Sequence, residues 1–515
     1  MNAFALGSDG GQTFYLGLED GRIELYDTST LQRLATLLVT ADKEWVLFSP
    51  DGYYAASRGG AKAVGWLMNQ GVTKIPGYYP FEQFDLRLNR PDLVLARLGY
   101  PGVTPGALQA LRGAHEKRLR KMGLDESKLA MDTEAPTVTL GRLADVAKTK
   151  KIDLEVTARP AGSPLDRLLV WANDVPIFGS AGLSLAGEKG AVKKRLPVEL
   201  TAGRNKLQIS VLDAHGVESA KETAYVTFAG AVKPPDLYVL AIGVSAYQDA
   251  AWKLDYAAKD ASDLAAAFKK DGQTGFGNLY VQPLLDNAVT KEGVIAAKKF
   301  LLKSKPDDQV VVFIAGHGLV DEKNEYYFGT VDVSFTDPAA RGLPYDAIEG
   351  LLDGIPARKK LLLMDTCHSG ELDKESLAPI AASTADGKLV ARVPGTRGLR
   401  RAGDKQVTSD ALSGVLGSLF TDLRRGSGAM VISSASGQQL AIEGGAYKNG
   451  VFTYALLQGL ASKQADLNGD GQVKVGELRD YVIQKVTQLT QGQQTPTSRR
   501  ENLEFDFTVL QYGRK

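Results

Sequence analysis

The chain has 515 residues, of which 23% are charged and 44% are hydrophobic, and its formal net charge is +1. That length predicts two or three domains, and the balanced charge excludes the strongly basic surface typical of proteins that bind nucleic acids or acidic membranes. A single cysteine excludes an internal disulfide, which fits a reducing compartment. No apolar run reaches the length of a membrane span and the first residues lack a signal-peptide pattern, so we expect a cytoplasmic protein with neither nucleic-acid nor membrane partners.

The first region, residues 1–130, begins with short alternating strands separated by Asp-Gly turns, which predict antiparallel hairpins. The hairpins resemble the end of a β-propeller of the tryptophan–aspartate repeat type, with Tyr26-Asp27 where that repeat has Trp-Asp. Only about one blade is present, whereas a propeller needs about four or more. We therefore expect a propeller-like remnant, the end of a longer propeller, or a strand pair docked on the rest of the chain, followed by a helical connection that ends near Met122.

The second region, residues 133–230, consists of short alternating strands with turn residues between them. This pattern predicts an antiparallel β-sandwich of immunoglobulin-like type. We expect Trp171 in its core and His215 in a turn, and nothing in the region indicates catalysis. Its role is either that of a spacer or, together with the first region, that of a surface for a protein partner.

From Asp236 to the C-terminus the pattern changes to strands that alternate with amphipathic helices. Repeated strand–helix units predict a mostly parallel sheet with helices on both faces, and we assign residues 234–515 to this domain. The predicted fold class is therefore multidomain: an α/β domain that follows an all-β sandwich and a short N-terminal β segment.

Two of the predicted buried strands end in residues that can perform nucleophilic catalysis. Residues 310–314 form a short apolar run that ends in Gly-His317-Gly, and residues 361–364 form another that ends in Asp-Thr-Cys367. Because open α/β sheets carry reactive groups beyond the carboxyl ends of their strands, we expect His317 and Cys367 to meet. A base is needed there, since an unperturbed thiol, with a pKa of about 8.5, is mostly protonated at neutral pH. The alternative for a lone cysteine is a small core residue, but its neighbours here are small and polar.

The motifs AGHG and DTCHSG, each after an apolar strand and in this order, resemble those of the caspase-like cysteine peptidases, in particular the metacaspase and bacterial caspase-like branches. The resemblance implies a caspase fold, with Cys367 as the nucleophile that forms an acyl-enzyme and His317 as the acid–base group. The N–H groups of Gly318 and Cys367 are the expected oxyanion donors, because both lie at strand-end turns. The implied activity is that of a cysteine endopeptidase, a hydrolase that acts on a protein or peptide without an organic cofactor.

The resemblance also implies a preference for cleavage after Arg or Lys. In metacaspases, one Asp two residues before the nucleophile and another in the first helix line the primary specificity pocket, and Asp365 and Asp260 match these positions. Ala315 stands where metacaspases usually have Ser, and we expect Glu443 to supply further negative charge. The alternatives are a solvated helix face for Asp260 and a preference for uncharged side chains.

A long segment, residues 373–428, follows the Cys367 motif and is rich in Ala, Gly, Ser and basic residues. Loops of this length are uncommon unless they have a function. In the caspase-like enzymes that the chain resembles, the corresponding stretch joins the large and small subunit portions and is often cut. Our hypothesis is self-cleavage in this segment, and the alternative is a flexible insertion.

The sequence DLNGDGQVKVGE fits the calcium-loop template of an EF-hand, with helical patterns before and after it. The predicted ligands are, in chain order, Asp466, Asn468, Asp470, the backbone carbonyl of Gln472, and Glu477. We expect this loop to bind Ca²⁺ with modest affinity, because Lys474 reduces its negative charge. The alternative is a capped turn without metal.

Two functions of different classes remain open. The first is a caspase-like cysteine endopeptidase that responds to calcium. The second is a calcium-binding interaction or scaffold protein with a vestigial protease domain. The presence of both Cys367 and His317 favours the enzyme, because vestigial domains tend to lose one of them.

Overall fold

The structure is a computed structural model, and the following ranges are the ones it describes: residues 3–7, 10–57, 59–68, 75–99, 103, 105–124, 126–129, 135–271, 274–321, 325–366, 381–385, 388–392, 399–401, 426–435, 441–444, 447–500 and 506–512. Among the predicted site residues, Cys367 lies outside these ranges, and so does most of the segment 373–428. Within the described ranges, none of the helices combines the length and apolarity that a membrane span needs, and the cytoplasmic location stays a prediction.

Six antiparallel strands open the chain, and each pairs with the next one along the sequence. Their bounds are β1 Ala3–Leu6, β2 Thr13–Gly17, β3 Ile23–Asp27, β4 Arg33–Val39, β5 Trp45–Phe48 and β6 Tyr54–Ala56. The connection that follows contains the hairpin β7 Gly65–Met68 and β8 Gly77–Pro80 and the helices α1 Asp85–Leu88, α2 Pro91–Leu98 and α3 Pro105–Lys121. The predicted antiparallel hairpins are confirmed, and the likeness to a propeller stays a prediction.

The second region contains two sheets that share one apolar core. Its strands are β9 Thr137–Leu140, β10 Val146–Ala147, β11 Lys151–Arg159, β12 Leu165–Ala172, β13 Val175–Pro176, β14 Leu183–Ser184, β15 Val192–Glu199, β16 Gly203–Asp213 and β17 Glu222–Phe228. The small sheet has the order β15-β11-β9 and the large one β10-β17-β16-β12-β13, with β14 beside β12. Alternating residues of β11, namely Leu154, Val156 and Ala158, are buried in the shared core, as expected for a strand with one covered face. The immunoglobulin-like topology stays a prediction.

Trp171 is buried as expected, but it does not belong to the core between the two sheets. It packs with Leu119 and Met122 at the end of α3, so this tryptophan attaches the sandwich to the helical connection. His215 lies in the predicted turn, where its N–H donates a hydrogen bond to Asp213 Oδ1 (2.9 Å).

The third region is built on a six-stranded sheet of order β19-β18-β20-β24-β28-β32. The strands of this region are β18 Leu237–Gly243, β19 Leu279–Leu285, β20 Gln309–Ala315, β21 Gly318–Val320, β22 Tyr326–Phe328, β23 Leu343–Pro344, β24 Lys359–Asp365, β25 Ala381–Ala385, β26 Lys388–Arg392, β27 Leu399–Arg401, β28 Met430–Ser433, β29 Glu443–Gly444, β30 Asn449–Gly450, β31 Gln472–Lys474, β32 Thr497–Arg500 and β33 Thr508–Gln511. The helices are α4 Ala257–Asp271, α5 Lys291–Leu301, α6 Pro338–Arg341, α7 Tyr345–Leu352, α8 Val451–Ser462 and α9 Val475–Leu489.

Five neighbouring strands of this sheet are parallel, and β32 is an antiparallel strand at its edge. The central strands β18 and β20 are buried along their whole length, which agrees with their near-continuous apolar sequences. Through α4 the chain passes from β18 to β19 on one side, and through α5 it returns to β20 on the other side of β18. Because such crossovers are right-handed, α4 and α5 lie on opposite faces. The strand order reverses at β18, so a crevice is expected beyond the carboxyl ends of β18 and β20.

The sandwich contacts this sheet at the amino ends of its strands, on the side away from the expected crevice. Asp307, two residues before β20, accepts a hydrogen bond from the N–H of Ala202 (2.8 Å) and pairs with Lys150. Asp353, after α7, accepts hydrogen bonds from the N–H and the hydroxyl of Ser180, both at 2.8 Å. The two regions are therefore joined by polar contacts at the amino ends of the strands, away from the expected crevice.

Candidate active site

His317 directly follows the turn after β20, and its side chain is fully buried. The ring Nε2 lies 2.8 Å from the carbonyl oxygen of Trp252, and the backbone N–H donates to the hydroxyl of Tyr247 (2.9 Å). The ring of Phe335 meets the imidazole edge to face at 5.5 Å. Because a carbonyl oxygen only accepts hydrogen bonds, Nε2 carries the proton in the neutral ring and Nδ1 is then its basic atom. The imidazole is thus held in one orientation and one tautomer.

Gly316 shows why a glycine precedes this histidine. Its φ is +156°, and a Cβ added there would lie 2.8 Å from Phe328 Cε2 and 2.9 Å from the hydroxyl of Tyr247. The Tyr247 ring packs against the imidazole, with centroids 5.0 Å apart, so a side chain at Gly316 would displace one of the groups that hold His317.

The register of β20 and β24 relates His317 to Cys367. Ala315 is paired with Asp365, and the N–H of Gly316 donates to the carbonyl of Asp365 (3.4 Å). His317 and Cys367 are each two residues beyond that pair in sequence, on strands that neighbour each other. Cys367 itself lies outside the described residues.

Thr366, the residue before Cys367, is fully buried and held from two sides. Its Oγ1 lies 2.8 Å from the hydroxyl of Tyr326 in β22, and its carbonyl accepts a hydrogen bond from Ser434 Oγ (3.0 Å). The N–H of Ser434 donates in turn to the carbonyl of Met364 (2.8 Å). The end of the Cys367 strand is therefore fixed both by the hairpin that follows His317 and by the end of β28.

The predicted specificity carboxylates meet at the start of α8. Asp365 Oδ2 accepts a hydrogen bond from Thr453 Oγ1 in the first turn of that helix (2.6 Å). Asp260 accepts one from the side-chain amide of Asn449 (2.7 Å) and one from the N–H of Gly450 (3.1 Å). Both aspartates are fully buried. Asp260 is therefore not on a solvated helix face, and that alternative is wrong.

Glu443 joins the same group through the short ladder β29–β30, in which it is paired with Gly450. It is 5% exposed, and its Oε1 accepts the N–H of Asp255 (3.1 Å). The structure thus brings Asp260, Asp365 and Glu443 together around residues 449–453.

Several residues that build the site carry little or no signal in the sequence. Trp252 binds the imidazole through a backbone oxygen, which leaves no side-chain pattern to recognise. Tyr326 lies in β22 and Ser434 directly follows β28, and the arrangement of these strands had to be known before the contacts with Thr366 could be inferred. Thr453 is a polar residue in an otherwise mostly apolar helix, which is a weak indication of a buried partner.

The calcium-loop residues form a closed turn between α8 and α9. Asp466 Oδ2 accepts the N–H of Gly471 (2.9 Å), and Glu477 accepts the N–H groups of Asn468 (3.2 Å) and Lys474 (3.0 Å). Asp470 accepts the N–H of Gln472, and this bond together with the Lys474 ammonium holds the pKa of Asp470 below its ordinary value. Within the described part of the chain, no group of three or more His, Cys, Asp or Glu side chains is placed to hold a metal ion. The five predicted ligands extend from the turn after α8 through β31 to the first turn of α9, and they include an amide and a backbone carbonyl besides three carboxylates.

Comparison with known proteins assigns the third region. Residues 237–508 match the family model described as "Caspase domain", whereas no curated protein matches the chain. The solved structure of GSU0716 from Geobacter sulfurreducens is 19% identical, over 52% of this chain and 93% of that one, with a TM-score of 0.33. Caspase-1 from Spodoptera frugiperda is 13% identical, over 54% of this chain and 93% of that one, with a TM-score of 0.32. Fibronectin(III)-like modules of CbhA from Clostridium thermocellum are 11% identical, over 19% of this chain and 100% of theirs, with a TM-score of 0.14.

Since these TM-scores are low, the assignment depends on the family model, which extends from the first strand of the parallel sheet to β33. That match covers more than half of the 515 residues, and it confirms the predicted caspase-like character of this region. The chain belongs to the caspase-domain family of cysteine peptidases.

Proposed function

We propose that this chain is a cysteine endopeptidase that uses a Cys367–His317 dyad. The observation that carries the proposal is the fixed imidazole of His317, with Nε2 bound to the Trp252 carbonyl, on a strand in register with the one that leads to Cys367. The Cys367 sulfur attacks the scissile carbonyl carbon, and His317 Nδ1 takes the thiol proton. The same nitrogen delivers that proton to the leaving amine and then activates the water that hydrolyses the acyl-enzyme. The N–H groups of Gly318 and Cys367 stabilise the oxyanion.

The proposed specificity is cleavage after Arg or Lys. Three buried acidic side chains, Asp260, Asp365 and Glu443, support it because a guanidinium or ammonium group entering this region would meet negative charge in a water-poor surrounding. The donors that orient Asp365 and Asp260 include a hydroxyl, an amide and a backbone N–H. These groups are neutral, so they fix the carboxylates without cancelling their charge.

Labelling of Cys367 tests the proposed activity. A peptide with Arg at its C-terminal position and an electrophilic group should label the wild-type chain covalently, and the Cys367→Ala chain should not be labelled. Because Cys367 is the single cysteine, intact mass spectrometry gives the outcome without ambiguity. A wild-type chain that neither reacts with such probes nor cleaves a peptide library would overturn the proposal. The second function would then stand, an interaction or scaffold protein whose N-terminal β regions bind a protein partner.

The same two chains test self-cleavage in residues 373–428, which we propose as the maturation step. Incubated at the same concentration, the wild-type chain should yield fragments with new termini after Arg or Lys in this segment, and the Cys367→Ala chain should stay intact. Fragments that appear equally in both chains would come from another protease.

We further propose that residues 466–477 bind Ca²⁺. The oxygens of Asp466, Asn468, Asp470 and Glu477 and the carbonyl of Gln472 have the spacing of an EF-hand loop, and hydrogen bonds already link the four residues that would supply side-chain ligands. Bound Ca²⁺ would supply a positive charge that joins these oxygens and stabilises the connection between α8 and α9. Whether it alters peptidase activity is a separate question, which the labelling reaction with and without Ca²⁺ answers.

Calcium is expected to raise the melting temperature of the chain by several degrees, and the Glu477→Gln chain should lose most of this effect. A ligand present at about 100 times its Kd stabilises the state that binds it by about 2.7 kcal/mol. Differential scanning calorimetry with Ca²⁺ or with a chelator measures the shift. Asp480→Asn is the matched control, because Asp480 lies in α9 just beyond the loop and contacts Arg479. An equal response of the wild-type and Glu477→Gln chains would show that the ion binds elsewhere.

A further inference from the structure

We propose that Tyr326 is a positioning residue for the nucleophile and that helix α3, from the N-terminal region, holds Tyr326 in place. The inference depends on the proposed peptidase function, and it assigns part of the catalytic geometry to residues outside the caspase-family match.

Tyr326 connects the two strand ends that carry the dyad. It lies in β22, opposite Val320 of β21, the short strand that begins one residue after His317. Its hydroxyl is 2.8 Å from Oγ1 of Thr366, which directly precedes Cys367 and is fully buried. The ring is fixed by Tyr345 at the start of α7, with centroids 6.1 Å apart and planes at 81°. One phenol thus links the hairpin that follows His317 to the side chain of Thr366, the residue before Cys367.

Two lysines of α3 bind the residues next to these tyrosines. Lys117 Nζ lies 3.0 Å from Glu325, the residue before Tyr326, and 3.2 Å from Asp346, the residue after Tyr345. Lys121 Nζ lies 2.8 Å from Asp346 and 3.1 Å from Glu349. Burial alone would lower the pKa of Lys121, but Glu349 and Asp346 raise it. The same lysines hold the pKa of Asp346 below its usual range despite its burial.

These contacts form a network rather than isolated surface pairs. The side chains of Lys117, Asp346 and Lys121 are 23%, 34% and 43% exposed, and what distinguishes them from single exposed ion pairs of little effect is that each lysine contacts two acids. The network fixes the backbone on either side of the Tyr326–Tyr345 contact. Nucleophilic attack requires the reacting atoms at about 3–3.5 Å, so a small displacement of the Thr366–Cys367 backbone is enough to slow acylation.

A double-mutant cycle of Tyr326→Phe and Thr366→Val tests the proposal. Each single change removes one side of the hydrogen bond with little change in volume, and each should lower kcat about 10-fold while KM stays within about 2-fold. The chain that carries both changes should have a kcat no lower than that of either single variant. Thr366→Ser keeps the hydroxyl, so this variant should retain most of the wild-type activity that Thr366→Val loses. Tyr327→Phe is the matched control, because its hydroxyl points to Asp321 (3.4 Å) and its loss should leave kcat unchanged.

The rate of alkylation of Cys367 by iodoacetamide provides a second measurement that needs no substrate. It should fall in Tyr326→Phe and Thr366→Val but not in Tyr327→Phe, and melting temperatures show whether each chain is folded. The proposal would be overturned if the loss of kcat in the double variant equalled the product of the losses in the two single variants. It would also be overturned if the Tyr326→Phe chain had the kcat and the alkylation rate of the wild type. If the wild-type chain itself has no peptidase activity, the proposed function fails, whereas the alkylation rates still decide the role of Tyr326.

The contribution of α3 is tested by Lys117→Ala combined with Lys121→Ala. The control combines Arg112→Ala with Arg120→Ala, which removes the same charge from the same helix at residues that pair only with Glu116 among the described ion pairs. Replacement of both lysines should lower kcat about 3- to 10-fold. The kcat of the wild-type chain should fall toward that of the lysine double variant as the salt concentration is raised, since salt screens partly exposed ion pairs. Equal kcat in the two double variants would exclude α3 from the positioning of Tyr326.

Discussion

His317→Gln is expected to lower kcat/KM for peptide cleavage by about 10²- to 10⁴-fold, the range that general acid–base catalysis contributes. Glutamine can still donate a hydrogen bond to the Trp252 carbonyl, as Nε2 does now at 2.8 Å, but it has no basic atom in place of Nδ1. The reaction loses the group that takes the thiol proton and returns it to the leaving amine. The buried environment with Tyr247 and Phe335 remains, so the change should affect chemistry much more than stability.

Steady-state assays with an Arg peptide and the alkylation rate of Cys367 at neutral pH measure this effect. The alkylation rate should also fall, because a thiol without a neighbouring base is mostly protonated at this pH. His215→Gln is the matched control, since His215 lies in a turn of the sandwich where its backbone N–H makes the contact with Asp213. A His317→Gln chain that retains activity within a few-fold of the wild type would exclude His317 as the acid–base group.

The strands that carry the dyad could be predicted from sequence because their physical signal is local. A short run of β-branched and apolar residues that ends in small polar residues can be buried on both faces only in the middle of a parallel sheet, and β20 and β24 occupy that place. The pattern also located the end of each strand, where His317 follows and where the sequence reaches Cys367. The register that puts Ala315 opposite Asp365 then follows from similar strand lengths and from the need to bury both runs.

The contacts between distant segments could not be predicted. The Trp252 carbonyl reaches His317 from a 3-10 turn that lies 65 residues away, and a backbone oxygen has no sequence signature. Lys360 looks like a polar residue before a strand, yet it lies within β24 and is fully buried, where its Nζ donates to the carbonyls of Leu352 (2.9 Å) and Ser427 (3.0 Å). The burial of a charged group becomes acceptable only when such partners exist, and they come from other elements.

The strand with which a given strand pairs could not be predicted from the sequence either. β33 pairs with β31 next to the predicted calcium loop, whereas β32 forms the antiparallel edge of the main sheet. Alternation indicates that one face of a strand is covered, but it does not indicate which strand supplies the neighbouring backbone.

Asp365→Asn is expected to change substrate preference rather than to abolish activity. Loss of one partner of a buried charge pair costs about 2–5 kcal/mol, so kcat/KM for peptides cleaved after Arg or Lys should fall about 30- to 5,000-fold. For peptides with an uncharged residue at that position, kcat/KM should stay within a few-fold of the wild type. Asparagine has the shape of aspartate and can still accept the hydrogen bond from Thr453 Oγ1, so the first turn of α8 should keep its position.

Asp260→Asn should have a similar effect, because its carboxylate is equally buried and lies at the same helix start. Asp263→Asn is the matched control: Asp263 accepts a hydrogen bond from the same Asn449 amide (2.8 Å), but its side chain is 35% exposed and pairs with Lys259. Its replacement should leave the preference for basic residues intact. If Asp365→Asn and Asp260→Asn slow the cleavage of every peptide equally, the two carboxylates support α8 and do not select the substrate. A wild-type chain that cleaves after uncharged residues as fast as after Arg would lead to the same conclusion, since buried negative charge that faces the substrate must discriminate between them.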